Sequence, residues 1–213
     1  MKRYRPVLMA RNLKYWQGYE VKIVMCIEMF IDLITDALDL VKKEYYKVPT
    51  AYEPMGNVRE RVFCYELYHQ MRCLQESRKL PQVRIHGEID KRGHKLFDQD
   101  EQKNPDFIFH VPGSMEGNYV VVEVKGNIDG NYRGGIYKDI KTLSMFTNSN
   151  PLYKLGILLI YNYSLSTFKR KMLEYNNNQE MCTDTYSFDN IIVICKERED
   201  TATEQEKLRN ILK

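Results

Sequence analysis

The chain contains a series of apolar runs of strand length, and their order along the sequence restricts the folds open to it. In the first run, Ile85 alternates with Arg84 and His86, the period of two that indicates a β-strand. A helical pattern at Val58–Glu76 precedes the runs, and another at Tyr132–Phe146 separates the third run from the fourth. The four predicted strands are Gln82–Ile89, Asp106–Val111, Tyr119–Lys125 and Lys154–Tyr161. This order predicts an α/β fold with a mixed sheet flanked by helices.

The segments on either side of these strands have their own patterns. Met1–Gly18 is basic and irregular, and Tyr19–Tyr46 carries apolar residues at helical spacing. Pro49 and the stretch Pro54–Asn57 indicate a linker. We therefore expect residues 1–57 to form an N-terminal helical extension and residues 58–213 to form a second domain. Its last elements are predicted as a helix at Ser166–Tyr175, a strand at Asn190–Lys196 and a helix from about Thr203.

Composition excludes several classes of protein. The chain of 213 residues is 43% hydrophobic and 29% charged, which is typical of a globular protein and not of a disordered or fibrous one. No apolar run reaches the roughly 18 residues of a membrane-spanning helix, and we expect no secretory signal. The five cysteines include no C-x-x-C pair, so we expect free thiols in a reducing cytoplasm. A net charge of +3 does not by itself indicate a nucleic-acid-binding protein.

Two carboxylates and a lysine lie on the second and third predicted strands. Asp106 opens the second strand, and Glu123 and Lys125 close the third. Side chains two residues apart on a strand share a face, so Glu123 and Lys125 should point the same way, with Val122 and Val124 on the opposite face. We expect Asp106 and Glu123 to meet at adjacent strand ends.

Carboxylates that lie close together repel each other unless a cation neutralises them. Mg²⁺ takes oxygen ligands, often from one or two carboxylates and a substrate phosphate, and it can activate water. A neighbouring lysine can orient or deprotonate the attacking water and offset negative charge in the transition state. Asp106, Glu123 and Lys125 are therefore suited to phosphodiester hydrolysis.

Pro105-Asp106, followed after 16 residues by Glu123-x-Lys125 on the next strand, resembles the PD-(D/E)xK nuclease superfamily. The resemblance covers roughly residues 58–161 and implies a restriction-endonuclease-like fold, with a core of helix, three strands, helix and strand. It further implies that Asp106 and Glu123 bind Mg²⁺ or Mn²⁺ and that Lys125 positions the water or stabilises the transition state. Many members carry a glutamate on the preceding helix, and Glu66 fits that place as an accessory ligand. On the helical wheel, however, Glu66 is equally consistent with a network with Arg59 and Gln70 that locks the helix.

The resemblance also implies a biological setting. DNA is the expected substrate, and a restriction, repair or defence role in a prokaryotic cytoplasm fits. A homodimer built through the helix Tyr19–Tyr46, or a partner protein of a restriction or defence system, is consistent with it. Candidate phosphate contacts are Lys138, Lys141, Lys169 and Arg170. Lysine and arginine side chains on helices are, however, more commonly exposed to solvent without contacting a phosphate.

Two alternatives remain open at the level of sequence. In the first, the chain is a non-catalytic nucleic-acid-binding or partner subunit that retains the nuclease fold. In the second, it is an unrelated α/β protein that carries the motif by chance. Carboxylates of Asp106 and Glu123 that lie on opposite faces, or more than about 8 Å apart, could not share one cation and would favour the second alternative.

Overall fold

The computed structural model describes seven stretches of the chain, and all structural statements below concern these residues. They are residues 19–78, 83–88, 104–113, 117–129, 135–148, 152–177 and 187–212. The basic segment Met1–Gly18 lies outside them.

Helices and strands alternate through most of the described chain. The helices are α1 (Tyr19–Leu38), α2 (Lys43–Tyr46), α3 (Glu60–Ser77), α4 (Ile136–Thr147), α5 (Leu165–Asn177) and α6 (Leu208–Ile211). The strands are β1 (Val48–Thr50), β2 (Glu53–Asn57), β3 (Arg84–Gly87), β4 (Phe107–His110), β5 (Asn118–Lys125), β6 (Leu155–Tyr161), β7 (Ile191–Lys196) and β8 (Glu204–Lys207). The predicted order of helix, three strands, helix and strand is confirmed in α3, β3, β4, β5, α4 and β6.

Strands β3 to β8 form one six-stranded mixed sheet in sequence order. Strands β3, β4 and β5 are antiparallel neighbours, whereas β5, β6 and β7 run parallel. Parallel neighbours need a crossover connection, and α4 and α5 provide it between β5 and β6 and between β6 and β7. The prediction of an α/β fold with a mixed sheet and flanking helices is confirmed.

Successive side chains of β5 point to opposite faces of the sheet, so its valines pack in two separate hydrophobic cores. Val120, Val122 and Val124 pack with residues of α1 and α3 on one face of the sheet. Val121 packs on the other face with residues of α4 and α5. Glu123 shares the face of Val121, so this carboxylate lies at the edge of the second core.

The predicted helix Tyr19–Tyr46 is two helices, because α1 ends at Leu38 and α2 begins at Lys43. At the break, Asp39 accepts a hydrogen bond of 2.6 Å from the buried Nζ of Lys196 at the end of β7. Val41 in this turn and Tyr46 in α2 are also buried. The apolar side chains of α1 between Ile27 and Leu38 pack on α3 and the sheet, and the dimer through this helix stays a prediction.

Two further segments differ from expectation. The predicted linker contains the β1–β2 hairpin, in which Gly56 has a φ of +75° beside the backbone of Lys47 and Val48. The helix predicted from Thr203 is wrong for Glu204–Lys207, which form the antiparallel strand β8 on β7. The charged side chains of this stretch suit an edge strand, which must resist pairing with other chains.

The described part of the chain holds no helix both long and apolar enough to cross a membrane. Cys64, Cys73 and Cys195 are free thiols, as expected, and Cys182 lies outside the described residues.

Candidate active site at the ends of β4 and β5

Asp106 is held at the junction of β4 and β5. It directly precedes β4, and the pairing of Phe107 with Val122 brings Asp106 level with Glu123 on the neighbouring strand. One carboxylate oxygen of Asp106, Oδ2, accepts a hydrogen bond of 2.7 Å from the backbone N–H of Val124. The structure therefore brings Asp106 and Glu123 together at adjacent strand ends.

Lys125 lies between two carboxylates that the sequence analysis did not single out. Its Nζ is 3.2 Å from a carboxylate oxygen of Glu60 in the first turn of α3, and 3.2 Å from one of Asp139 on α4. Asp139 is buried. Its spacing from Ile136 and Leu143 places it on the apolar stripe of α4, and an acid on such a stripe is the signal by which it could have been found. These ion pairs join both flanking helices to the end of β5.

Glu60, at the start of α3, contacts the end of β5 at two points. Besides Lys125, it accepts a hydrogen bond of 3.1 Å from the backbone N–H of Gly126. Glu66 lies six residues further along α3, which turns it about 240° around the helix and about 9 Å along it. There it accepts a hydrogen bond of 2.6 Å from Gln70, in agreement with the alternative of a helix-locking network. The glutamate of α3 that contacts the end of β5 is therefore Glu60, and the accessory role of Glu66 stays a prediction.

Burial and mutual repulsion act on the carboxylates of this cluster. Burial, with added repulsion from Glu60 and Asp139, raises the pKa of Asp106 to about 6. Burial likewise raises the pKa of Asp139 to about 6, and burial with the charge of Asp106 raises that of Glu123 well above its usual range. Burial disfavours the Lys125 ammonium, but the charges of Asp139 and Glu60 outweigh it, so its pKa is raised. The cluster holds more negative than positive charge and would be stabilised by a further cation.

The metal-free protein is expected to become less stable as pH rises from about 5 to about 7. The pKa of Asp106 is raised from 3.8 to about 6, so folding favours its protonated form, and that stability is lost as pH rises through about 6. For Asp106 alone the full loss is about 3 kcal/mol, at 1.36 kcal/mol for each pKa unit, and about half of it, roughly 1.4 kcal/mol, falls between pH 5.0 and pH 7.5. Groups with lowered pKa values, such as Asp189 and Glu199, act below this range.

Urea unfolding in EDTA at pH 5.0 and pH 7.5 measures this loss. Asp106→Asn is expected to remove the share of Asp106, about 1.4 kcal/mol, and to leave the shares of Asp139 and Glu123. Glu76→Gln, at an exposed carboxylate of α3, should retain the whole difference. Higher stability at pH 7.5 than at pH 5.0 would contradict the raised pKa values of these carboxylates.

The carboxylates of the cluster are candidate ligands for a divalent cation. Within the described ranges, no group of three or more His, Cys, Asp or Glu side chains is arranged to hold a metal ion. Mg²⁺, however, commonly uses one or two carboxylates and retains several waters. Asp106 and Glu123 supply two carboxylates, and the charge of Asp106 adds to the burial that disfavours ionisation of Glu123. The chemistry of this pair fits a hard divalent cation.

Gly126, directly after Lys125, is required by close packing. A Cβ atom at this position would overlap the ring of Tyr161, which is buried and stacked on Phe63 with centroids 3.8 Å apart. Gly126→Ala is expected to lower the free energy of unfolding by about 1–3 kcal/mol, the usual cost of overpacking. Urea unfolding checks this, and in a double-mutant cycle Tyr161→Leu should relieve part of the loss. Full additivity of the two substitutions would contradict the packing explanation.

The four basic candidates lie in different settings. Lys138 is exposed and close enough to favour the ionised form of Glu123, and Lys141 is partly buried on the same helix. Lys169 forms an ion pair with Glu206, and Arg170 forms one with Glu174 at 3.0 Å. Lys138 is thus the member of this set with an electrostatic link to the carboxylate cluster.

A cleft of about 820 Å³ opens beside two carboxylates of the cluster, Glu60 and Asp106. Its lining includes Glu60, Asp106 and Phe107, together with Tyr65 and Tyr68 from α3. A substrate in this cleft would contact Asp106 directly.

Comparison with family models, with curated proteins and with solved structures gives no match to this chain. The functional interpretation therefore depends on the residues and on their geometry.

Proposed function

We propose that this protein is a metal-dependent nuclease of the PD-(D/E)xK type that hydrolyses phosphodiester bonds in DNA. The observation that carries the proposal is the junction of β4 and β5. There the carboxylate of Asp106 is held on the N–H of Val124 beside Glu123, and Lys125 follows on the same strand. A core of α3, β3, β4, β5, α4 and β6 supports a restriction-endonuclease-like assignment, because this is the element order of that fold.

Asp106 and Glu123 are the residues that would hold the metal. When bound there, Mg²⁺ or Mn²⁺ supplies Lewis-acid polarisation of the phosphate and a water of lowered pKa. The Val124 N–H orients the Asp106 carboxylate in advance, which lowers the cost of ordering it on binding.

Lys125 acts in this proposal as a positive charge rather than as a base. Burial disfavours its charged form, but the carboxylates of Asp139 and Glu60 raise its pKa, so it stays protonated at neutral pH. A protonated ammonium can donate to a phosphate oxygen and stabilise the charge that develops on it. Glu60 and Asp139 hold the ammonium in place and are therefore positioning residues.

The proposal is tested by incubating the purified protein with single-stranded and duplex DNA in Mg²⁺, Mn²⁺ or EDTA. Cleavage in either metal, its absence in EDTA and its loss in Lys125→Ala would support the nuclease. Cleavage that persists in EDTA, or that survives in Lys125→Ala, would contradict it. Binding of metal and DNA without cleavage would favour the non-catalytic subunit.

Glu60 and Glu66 provide a matched pair of substitutions on one helix. Glu60→Gln is expected to lower the cleavage rate about 10- to 100-fold, because a residue that orients a functional group commonly has an effect of this size. Glu66→Gln should leave the rate within about twofold of the original, since Glu66 contacts Gln70 instead of Lys125. Single-turnover rates measured at saturating DNA check both. A larger loss in Glu66→Gln than in Glu60→Gln would overturn the assignment of Glu60.

A further inference from the structure

The cleft beside Asp106 has features that the hydrolysis of a phosphodiester does not by itself require. It lies between α3 and the ends of β3 and β4, and its lining includes an aromatic set from α3. A volume of about 820 Å³ is in the range of pockets that enclose a small organic ligand.

One wall of the cleft is a fixed aromatic surface. Tyr68 stacks on Phe107 with ring planes 8° apart and centroids at 6.3 Å. The hydroxyl of Tyr68 donates a hydrogen bond of 3.2 Å to the backbone oxygen of Ile85 on β3. This wall is therefore held in place before any ligand binds.

Tyr65 is the exposed aromatic side chain of the cleft. It lies one turn after Arg61 on α3, and its exposed fraction of 63% leaves most of the side chain open to a ligand. Stacking of a base on an aromatic side chain contributes about 1–3 kcal/mol for each base and is tolerant of base identity.

The charge of the cleft disfavours a phosphate backbone running along it. Of the described lining residues, Glu60, Glu88 and Asp106 are carboxylates, and Arg61 is already paired with Glu88 at 3.1 Å. A nucleobase is uncharged and aromatic, so it suits these walls better than a chain of phosphates does.

We propose that the cleft receives one unpaired base of single-stranded DNA, stacked on Tyr65, next to the phosphate that is cleaved. The inference rests on the proposed nuclease function and adds its substrate class. In a duplex each base is stacked and paired, so a base reaches such a cleft only at the cost of a few kcal/mol of unstacking and unpairing. Single-stranded DNA avoids this cost and is expected to be the preferred substrate.

The binding arm of the test uses an oligodeoxynucleotide that contains 2-aminopurine, whose fluorescence is quenched by stacking. Titration in Ca²⁺ compares the original protein with Tyr65→Ala, Tyr65→Phe and Tyr52→Ala. Tyr52 is a matched control because it is 96% exposed on the β1–β2 hairpin and does not line the cleft. We expect Tyr65→Ala to weaken binding about tenfold or more and to lose the quenching, and the other two variants to retain both. No binding, or equal binding by Tyr65→Ala, would overturn the proposal.

The cleavage arm compares a single strand with its duplex at equal concentration in Mg²⁺ and in Mn²⁺. Single-stranded DNA should be cut at least about tenfold faster, and Tyr65→Ala should reduce this preference. Metal-dependent cleavage with equal or faster cutting of the duplex would overturn the cleft proposal while the nuclease function stands. Binding that depends on Tyr65 without cleavage of any substrate would support the cleft proposal and contradict the nuclease function.

Discussion

Asp106→Asn is expected to reduce metal-dependent cleavage of DNA by at least about 100-fold. The asparagine oxygen can still accept the hydrogen bond from the Val124 N–H, so the backbone geometry at the end of β5 should be kept. The negative charge, however, is lost, and with it one of the two carboxylates proposed to hold the cation. Removal of a single preorganised electrostatic contact commonly costs a factor of 10² to 10³ in rate.

The measurement is the single-turnover cleavage rate of a fluorescently labelled oligonucleotide in Mn²⁺. Glu76→Gln is the matched control, because Glu76 is an exposed carboxylate on α3 that forms a surface ion pair with Arg72 at 3.5 Å. Its rate should be unchanged. Circular dichroism on Asp106→Asn should show the folded spectrum, so that a lost rate reports on the site. A variant that is folded and cleaves at the original rate would remove Asp106 from the mechanism.

Lys125→Met is expected to destabilise the protein as well as to inactivate it. The substitution leaves Glu60, Asp106, Glu123 and Asp139 clustered without the ammonium that pairs with two of them. Breaking a buried ion pair by removing one partner costs about 3–5 kcal/mol. Because the side chain of Glu60 is 36% exposed, we expect a smaller loss of about 2–3 kcal/mol at pH 7.5.

The pH dependence of this destabilisation distinguishes loss of the Lys125 charge from loss of side-chain packing. Without Lys125 the carboxylates should hold their protons more tightly in the folded protein, so the loss should shrink as pH falls from 7.5 to 5. Urea unfolding at pH 7.5 and at pH 5 measures the loss of stability in Lys125→Met. Lys42→Met is the control, because Lys42 forms an exposed ion pair with Glu199 and its loss is expected to cost less than about 1 kcal/mol. An equal loss at both pH values would indicate that Lys125 matters for packing rather than for charge.

The central part of the fold could be predicted because its signals are local. The period of two in β3, the apolar run of β5 and the helical patterns of α3 and α4 are visible in the printed sequence. Glu123 within a run of valines was also informative, since an unpaired carboxylate on an apolar strand is costly. Together these features predicted that Asp106 and Glu123 lie on neighbouring strand ends, as the structure shows.

The contacts of Lys125 could not be predicted in the same way. Whether Glu60 or Glu66 reaches the sheet depends on how α3 is rotated about its own axis. Packing of α3 against α1 and the sheet determines this rotation, and no local sequence pattern predicts it. Strand β8 was missed for a related reason. Its residues Glu204–Lys207 have the composition of a solvated helix, and they form a strand because the backbone of β7 is available for pairing.

A titration with Mn²⁺ followed by electron paramagnetic resonance tests the central claim most directly. The claim is that the carboxylates of Asp106 and Glu123 together hold one divalent cation. Bound Mn²⁺ loses the sharp signal of the free aqueous ion, so the bound fraction is read without any assay of activity. We predict one Mn²⁺ for each chain in the original protein and in Glu76→Gln, and strongly weakened binding in both Asp106→Asn and Glu123→Gln. Undiminished binding in those two folded variants, or no binding by the original protein, would contradict the account.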